Sequence, residues 1–236
     1  MKPIAVFRHS PTEGPGYFAT YLDSRDLPWR LVALDRGEPV PTHVGEFSGL
    51  VFMGGPMSVN DDLPWIAPVL ELIRTAVSVD VPVLGHCLGG QLMSKALGGS
   101  VGRNPIKEIG WGEIEIDDRP EARSWFGPGL KRFESFHWHG ETFTIPPGAV
   151  RIMGNCNCEN QGFVVGKNLG MQCHVEMTEQ LIDSWCESGA EEIAGSKDSP
   201  AVQSAEQIKS RMQEKIVAMR GVADRLYDHW VKGLKT

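Results

Sequence analysis

The segment Gly85-His86-Cys87-Leu88-Gly89 combines a nucleophilic side chain with a turn that could activate it. It follows an apolar strand pattern at residues 81–84 and leads into a helical pattern at 89–97. A sharp strand-to-helix turn requires small residues two positions on either side of the nucleophile, and two glycines stand there. The helix N-terminus would favour a thiolate at Cys87. The segment alone is equally consistent with a buried structural cysteine.

A candidate base lies in the segment Met171-Gln172-Cys173-His174-Val175-Glu176-Met177. Alternate residues of an extended strand point to the same face, so we expect His174 and Glu176 to project together. A carboxylate beside a histidine can hold one tautomer and stabilise the imidazolium. By itself this pair also fits an edge strand with exposed polar residues. Combined with Cys87, it indicates a Cys-His-Glu triad.

Acyl chemistry also requires hydrogen-bond donors for an oxyanion. The N–H of Leu88 directly follows the nucleophile, and the Gly54-Gly55-Pro56 loop follows a predicted strand at 49–53. Both donors would lie at the carboxyl ends of parallel strands, where open sheets bind ligands. We therefore predict an oxyanion hole formed by Gly55 and Leu88.

Short apolar runs alternate with helical patterns over most of the chain, which predicts an α/β fold. Strands are predicted at residues 4–7, 30–34, 49–53 and 81–84, and helices at 17–24, 65–77 and 89–97. The first four strands are expected to form an open parallel sheet covered on both faces. Antiparallel strands are predicted in the C-terminal half at 113–116 and 133–137, and two further strands at 162–165 and 169–174. Thr178 is predicted to cap a helix at 179–187 that Gly189 ends.

The last fifth of the chain differs in composition. Residues 190–200 are small, polar and acidic and are predicted to be a linker. A long amphipathic helix should follow, because apolar residues recur there at steps of three or four. They are Ile208, Met212, Ile216, Met219, Ala223, Leu226 and Trp230. We expect a domain at 1–190, and a linker and helix at 191–236 that pack on the domain or form a homodimer contact.

The amino-acid composition and net charge of the chain exclude several classes of protein. The 236 residues are 41% hydrophobic and 22% charged, which is typical of a globular protein. A net charge of −7 disfavours non-specific binding to nucleic acid. No run approaches the roughly 18 apolar residues of a membrane span, and no signal peptide is apparent. Five scattered cysteines fit reduced thiols, so we expect a cytoplasmic protein with no membrane partner.

Two short patterns suggest metal ligands, but other interpretations are favoured. Cys156-x-Cys158 lacks a second pair at zinc-ligand spacing, which favours structural thiols. His137-x-His139 lies near the expected substrate loop, which favours a pocket or packing role. His9 is expected to be a loop residue near the pocket rim. We therefore predict no metal site and no cofactor.

Three motifs, in this order, resemble the class I glutamine amidotransferases. They are Gly54-Gly55-Pro56-Met57-Ser58, Gly85-His86-Cys87-Leu88-Gly89-Gly90-Gln91 and Gln172-Cys173-His174-Val175-Glu176. Three further phrases resemble the stand-alone, GMP-synthase-like members. They are Glu108-Ile109-Gly110-Trp111, Trp138-His139-Gly140-Glu141-Thr142-Phe143 and Asn160-Gln161-Gly162-Phe163. The resemblance covers roughly residues 3–187.

The resemblance implies a flavodoxin-like architecture with Cys87 as nucleophile, His174 as base and then acid, and Glu176 as the residue that orients it. It further implies that Gln91 and the backbone of Trp138, His139 and Gly140 hold the α-amino and α-carboxyl groups of the substrate. Cys173, Val175 and Gly90 stand where the family usually has Phe, Pro and His. These departures remove no member of the triad.

The expected reaction is hydrolysis of the glutamine γ-amide through a γ-glutamyl thioester, with release of glutamate and ammonia. The alternative is a peptidase that acts on other γ-glutamyl compounds, and a non-catalytic binding protein of the same fold is a third. The chain carries no G-x-x-x-x-G-K-[ST] motif for ATP. Transfer of the ammonia would therefore require a partner synthetase subunit.

Overall fold

The computed structural model describes residues 1–235 and consists of a ten-stranded sheet with helices around it. The strands are β1 (Ile4–Arg8), β2 (Trp29–Ala33), β3 (Gly49–Phe52), β4 (Val83–His86), β5 (Val101–Ile116), β6 (Arg132–Phe143), β7 (Val150–Gly154), β8 (Gly162–Val165), β9 (Asn168–Met171) and β10 (Ala201–Val202). The α-helices are α1 (Gly16–Asp23), α2 (Ile66–Ser78), α3 (Leu88–Ala96), α4 (Pro120–Phe126), α5 (Glu179–Ser188), α6 (Ala190–Gly195), α7 (Ala205–Lys209) and α8 (Met212–Val231).

The sheet has a parallel half and an antiparallel half. Its order is β10-β5-β7-β8-β9-β4-β3-β1-β2, and β6 pairs with β5. The strands from β9 to β2 are parallel, whereas β8, β7, β5 and β6 extend the sheet in antiparallel pairs. The predicted α/β class, a mostly parallel open sheet with antiparallel strands added in the C-terminal half, is confirmed.

Helices cover both faces of the sheet because the central strands are apolar on both sides. In β1, Ile4 and Val6 belong to one buried cluster, whereas Ala5 and Phe7 belong to another. Alternate side chains of a strand point to opposite faces, so the two clusters are two cores separated by the sheet. Helices α2 and α3 cover one face, and α1, α4, α5 and α8 cover the other.

Three strand predictions were wrong in extent. Strands β5 and β6 form a hairpin far longer than the predicted runs at 113–116 and 133–137, and its register shifts between Arg103 and Glu108. Strand β9 ends at Met171, so His174 lies beyond it and forms only an isolated bridge with Phe136. His174 is therefore held by a bridge to β6 rather than by a regular strand.

The predicted linker was also wrong, because its first half is helix α6. Glu192 of α6 accepts a hydrogen bond from the indole of Trp138 and pairs with Lys107. Since Trp138 lies on β6 and Lys107 on β5, α6 is fastened to the long hairpin. This acidic segment is ordered by polar contacts rather than by an apolar stripe.

The predicted apolar stripe divides between α7, which carries Ile208, and α8, which carries the rest. Apart from the partly buried Met212, the stripe is buried in the same cluster as Phe18 and Tyr21 of α1. The Tyr21 hydroxyl also donates a 2.7 Å hydrogen bond to Asp228 of α8. The stripe therefore packs on its own chain. None of the helices within residues 1–235 has the length and apolarity to cross a membrane.

Candidate active site

Cys87 occupies a strained turn between β4 and α3. Its φ of 49° and ψ of −107° lie in a region that residues with side chains rarely adopt. The turn is tight because a Cβ at Gly85 would lie 2.4 Å from the carbonyl carbon of Gly89, and one at Gly89 would lie 2.0 Å from the Phe52 oxygen. The two glycines predicted from spacing are thus required by close backbone approach. The turn presents Cys87 to a cavity, although the residue is only 7% exposed.

His174 and Glu176 are paired beside this turn. Nδ1 of His174 lies 2.6 Å from Oε1 of Glu176, and both side chains are buried. The His174 backbone N–H donates to the Phe136 oxygen at 2.8 Å, and the ring meets the Trp185 ring edge to face. Because Nδ1 donates to the carboxylate, Nε2 is the nitrogen left to exchange a proton with Cys87. The structure thus brings Cys87, His174 and Glu176 together.

The charges of the site favour a protonated imidazole next to an ionised carboxylate. Burial acts to lower the pKa of His174, but Glu176 and Cys87 outweigh it and raise that pKa well above the usual value. Burial acts to raise the pKa of Glu176, but His86 and His174 outweigh it and lower that pKa to about 2. Glu176 is therefore ionised at neutral pH and can stabilise an imidazolium at His174.

The second oxygen of Glu176 faces a residue that the sequence analysis did not single out. Oε2 of Glu176 lies 3.7 Å from Nε2 of His86, which in turn lies 3.2 Å from the Tyr227 hydroxyl. Burial lowers the pKa of His86, against the opposing effect of Glu176. Through Tyr227, helix α8 reaches the residue next to the nucleophile.

A cavity of about 440 Å³ opens in front of Cys87. Most of the residues predicted from the sequence line it: Gly55, Cys87, Gln91, Trp138, His139, Gly140 and His174. Leu88 and Glu176 are buried behind this lining. The volume lies within the range of about 300–1,000 Å³ that is common for small-molecule sites.

The two predicted oxyanion residues are close neighbours at the ends of β3 and β4. A Cβ at Gly55 would lie 2.7 Å from Cδ2 of Leu88, so the two loops touch beside Cys87. His9 packs against the loop that contains Gly55 and hydrogen-bonds to its backbone. Its Nδ1 donates to the Met53 oxygen at 3.1 Å, and burial lowers its pKa to about 4. His9 follows β1 in a loop beside Gly55 of the cavity lining, as predicted, but it is buried, at 3% exposed, and does not itself line the cavity.

Gln91 is linked to Cys87 through a second glutamine. Its Nε2 donates to Oε1 of Gln172 at 3.1 Å, and Nε2 of Gln172 lies 3.5 Å from the Cys87 sulfur. The Trp138 carbonyl oxygen lies 3.9 Å from the same sulfur. These contacts fix the thiol between α3, β6 and the segment that follows β9.

Glu13 is the site residue that sequence reasoning missed most clearly. It lines the cavity, and a Cβ at Gly54 would meet both Oε2 of Glu13 at 2.5 Å and Cε1 of His174 at 3.1 Å. Burial raises the pKa of Glu13 to about 7, against the effect of His174. No motif marks Glu13, but it follows β1 at the ligand-binding edge of the sheet, and that position could have identified it.

Comparison with known proteins assigns the family. The model of the class-I glutamine amidotransferase family matches residues 19–185, well over half of the chain. The chain belongs to this family. The glutamine amidotransferase-like protein YfeJ of Salmonella typhimurium is 28% identical over 221 residues, which cover 88% of this chain and 91% of YfeJ. A glutamine-hydrolysing GMP synthase subunit of Sulfolobus acidocaldarius is 34% identical over 135 residues, 56% of this chain and 69% of that protein.

A crystal structure agrees with this assignment over the whole chain. The glutamine amidotransferase from Methylobacillus flagellatus superposes with a TM-score of 0.97 and 42% identity, covering 100% of this chain and 96% of that chain. The class I amidotransferase resemblance of the motifs is therefore confirmed. Family membership makes this protein a glutamine-hydrolysing enzyme.

Proposed function

We propose that the protein hydrolyses the glutamine γ-amide by covalent catalysis at Cys87. The thiolate attacks the γ-carbonyl, and a C–S bond forms as the amide N–H groups of Gly55 and Leu88 stabilise the oxyanion. His174 gives its proton to the leaving nitrogen, the C–N bond breaks and ammonia departs. His174 then takes a proton from water, which attacks the thioester and releases glutamate and the Cys87 thiol. Glu176 keeps Nδ1 of His174 protonated throughout.

The observation that carries this proposal is the 2.6 Å contact of His174 with Glu176 beside a strained Cys87 at the cavity. Backbone strain at a buried non-glycine residue persists only where the surroundings enforce it. Here the strain aims a nucleophile at the cavity that also holds the acid–base pair. Glu13 extends the proposal, because its carboxylate can bind the cationic α-amino group of glutamine.

The test is glutamate release from L-glutamine by the purified full chain. We expect activity in the wild type and a loss of at least about 10³-fold in Cys87→Ala. Cys156→Ala is the matched control, because Cys156 is an exposed free cysteine, and it should keep wild-type activity. An active Cys87→Ala variant would refute the assignment of the nucleophile. A trapped γ-glutamyl thioester, seen by mass spectrometry on Cys87, would support it directly.

A γ-glutamyl hydrolase is the second candidate, and its support is the size of the cavity, about 440 Å³. Besides the residues around Cys87, the lining of the cavity includes Glu141, Ser188 and Glu192. This space could hold a leaving group larger than ammonia. Comparison of kcat/KM for glutamine and for γ-glutamyl dipeptides separates the candidates. Activity on dipeptides that exceeds activity on glutamine would assign the protein as a γ-glutamyl hydrolase.

We further propose that any transfer of the ammonia depends on a partner synthetase. The support is the similarity to a protein that is named as one subunit of a GMP synthase. Under this proposal, a cognate partner would raise the glutaminase rate when its acceptor is bound. A glutaminase rate that is high in the isolated chain would instead favour hydrolysis as the end of the reaction.

A further inference from the structure

Two histidines and one carboxylate form a buried cluster in the long hairpin. Glu108 lies on β5 opposite His139 of β6, and His137 lies two residues before His139. All three residues are 5% exposed or less. One ligand atom from each lies within 4.8 Å of the other two. The sequence analysis considered the histidines as metal ligands but not Glu108, which the hairpin register brings to them.

The hydrogen bonds of His139 require a positive charge between its ring and Glu108. Nδ1 of His139 lies 3.0 Å from the backbone carbonyl oxygen of Glu141. A carbonyl oxygen only accepts, so Nδ1 carries a hydrogen. In a neutral ring, Nε2 then has a bare lone pair, and it lies 3.0 Å from Oε2 of Glu108. Two lone pairs at this distance repel each other, so a cation or a proton must lie between them.

Glu108 is held as an anion by neighbouring amide groups. Its Oε1 accepts a 2.8 Å hydrogen bond from Asn155, and its Oε2 accepts a 2.7 Å hydrogen bond from Gln161. Both partners are side-chain NH₂ groups, which donate to a carboxylate and supply no charge. The only ion pairs of Glu108 in the described residues are those with His137 and His139. A buried carboxylate with such partners requires a positive charge in the cluster.

The third group, His137, has an unused nitrogen that faces the same point. Its Nδ1 lies 3.9 Å from Oε2 of Glu108 and has no hydrogen-bond partner among residues 1–235. The ring is about 1% exposed, so no bulk water reaches it. A buried polar atom without a partner is costly and calls for a ligand.

We propose that Glu108, His137 and His139 bind one divalent transition-metal ion, with Zn²⁺ as the first choice. Two imidazole nitrogens and one carboxylate oxygen are a known zinc donor set, whereas Mg²⁺ and Ca²⁺ prefer oxygen alone. The ion supplies the missing charge and bonds the lone pairs of His139 and His137. The hydrogen bond from His139 to the Glu141 carbonyl and those from Asn155 and Gln161 to Glu108 orient the three ligands.

The site would brace the wall of the cavity rather than take part in the reaction. Trp138, His139 and Glu141 line the cavity, and Trp138 stands between the two histidine ligands in β6. Asn155 and Gln161 tie the segment between β7 and β8 to the same ion through Glu108. Metal binding would therefore fix the segment from Trp138 to Glu141 beside Cys87. This proposal stands whether or not glutamine is the substrate.

The test uses the full-length chain without a histidine tag, freed of metal by a chelator. We expect about one equivalent of Zn²⁺ or Co²⁺ to bind, with Co²⁺ giving visible absorption bands but no intense thiolate charge-transfer band. Glu108→Gln and His137→Asn should each weaken metal binding by at least about tenfold. Glu115→Gln, an exposed site on β5, and His43→Asn, also exposed, are the matched controls and should bind as the wild type does.

Two outcomes would overturn the proposal. The first is a wild-type chain that takes up no stoichiometric Zn²⁺ or Co²⁺, which would assign the cluster to an imidazolium–carboxylate pair. This result needs no variant and so does not depend on whether Glu108→Gln folds. The second is undiminished binding in both ligand variants. Cys156→Ala separates that case from metal held by the nearby thiols, because only a thiol site would lose the metal.

Discussion

At the scale of single residues, the surroundings of each carboxylate in the candidate site determine its pKa. Glu176 and Glu13 are both carboxylates near His174, yet their pKa values move in opposite directions, to about 2 and about 7. Glu176 is bonded to His174 and faces His86, whereas the burial of Glu13 is not matched by a direct cationic partner. One carboxylate is thus fixed as an anion, and the other titrates near neutral pH.

We predict that Glu176→Gln lowers kcat for glutamine by about 10³- to 10⁴-fold. The amide is nearly isosteric, but it cannot stabilise an imidazolium at His174 and can favour the wrong tautomer. The measurement is steady-state glutamate release, with circular dichroism to verify folding. Glu179→Gln, on the exposed first turn of α5, is the control and should keep full activity. A folded Glu176→Gln variant with normal kcat would exclude the orienting role.

We predict that Glu13→Gln flattens the dependence of stability on pH. The pKa of Glu13 rises from 4.5 to about 7 on folding, so the native state binds more protons between these values. The free energy of unfolding of the wild type should therefore fall as pH rises from about 4.5 to 7. The variant lacks this fall. At pH 8 its free energy of unfolding should therefore gain about 1–2 kcal/mol relative to the wild type, a figure discounted for the partial exposure of Glu13. Urea unfolding at pH 5 and pH 8 measures the difference, and equal slopes for both chains would contradict the prediction.

At the scale of elements, local patterns were predictable and distant contacts were not. The turn at Cys87 could be read from the sequence because its glycines and apolar strand are contiguous. Thr178 likewise caps α5, as predicted, by accepting a hydrogen bond from the Leu181 N–H. Glu108 and Glu13 were missed because each joins its partners only through strand pairing or loop folding.

The errors at this scale have the same cause. Helix α6 looked like a linker because no apolar periodicity marks it, and Trp138 and Lys107, which hold it, are over 50 residues away in the chain. Strand β9 was predicted too long because residues 172–176 alternate as a strand does. Their side chains do project together, but a single bridge to Phe136 maintains that geometry.

We predict that the apolar side chains of helix α8 contribute strongly to the stability of the fold, because they cover one face of the sheet. Trp230 is fully buried, and its ring meets the Phe18 ring at 6.0 Å between centroids. We expect Trp230→Ala to lower the free energy of unfolding by about 3–5 kcal/mol, since a large cavity is left. Val217→Ala on the exposed face of α8 should change it by less than about 0.5 kcal/mol. Denaturant unfolding of both variants provides the comparison, and similar losses in the two would contradict the packing described above.

At the scale of the whole molecule, the active-site edge and the C-terminal helices form one structure. The sequence suggested a domain at 1–190 with an appended helix, yet Tyr227 of α8 contacts His86, and α8 shares a core cluster with α1, α4 and α5. The turn at Cys87 is therefore in contact with the C-terminal helix through His86. A loss of α8 should affect the site as well as the fold.

We predict that a chain truncated after residue 190 does not fold as an independent unit. Truncation would expose the apolar face that Ile216, Leu226 and Trp230 cover, and it would remove the Tyr227 contact to His86. The truncated chain should lose its cooperative thermal transition and its glutamine hydrolysis. The free energy lost with the buried apolar contacts of α8 should exceed the small net free energy of unfolding of a domain. Addition of residues 191–236 as a separate peptide should restore both in part. If the truncated chain instead unfolds cooperatively at the wild-type midpoint, residues 1–190 are a self-sufficient domain, and α8 would be an accessory to it.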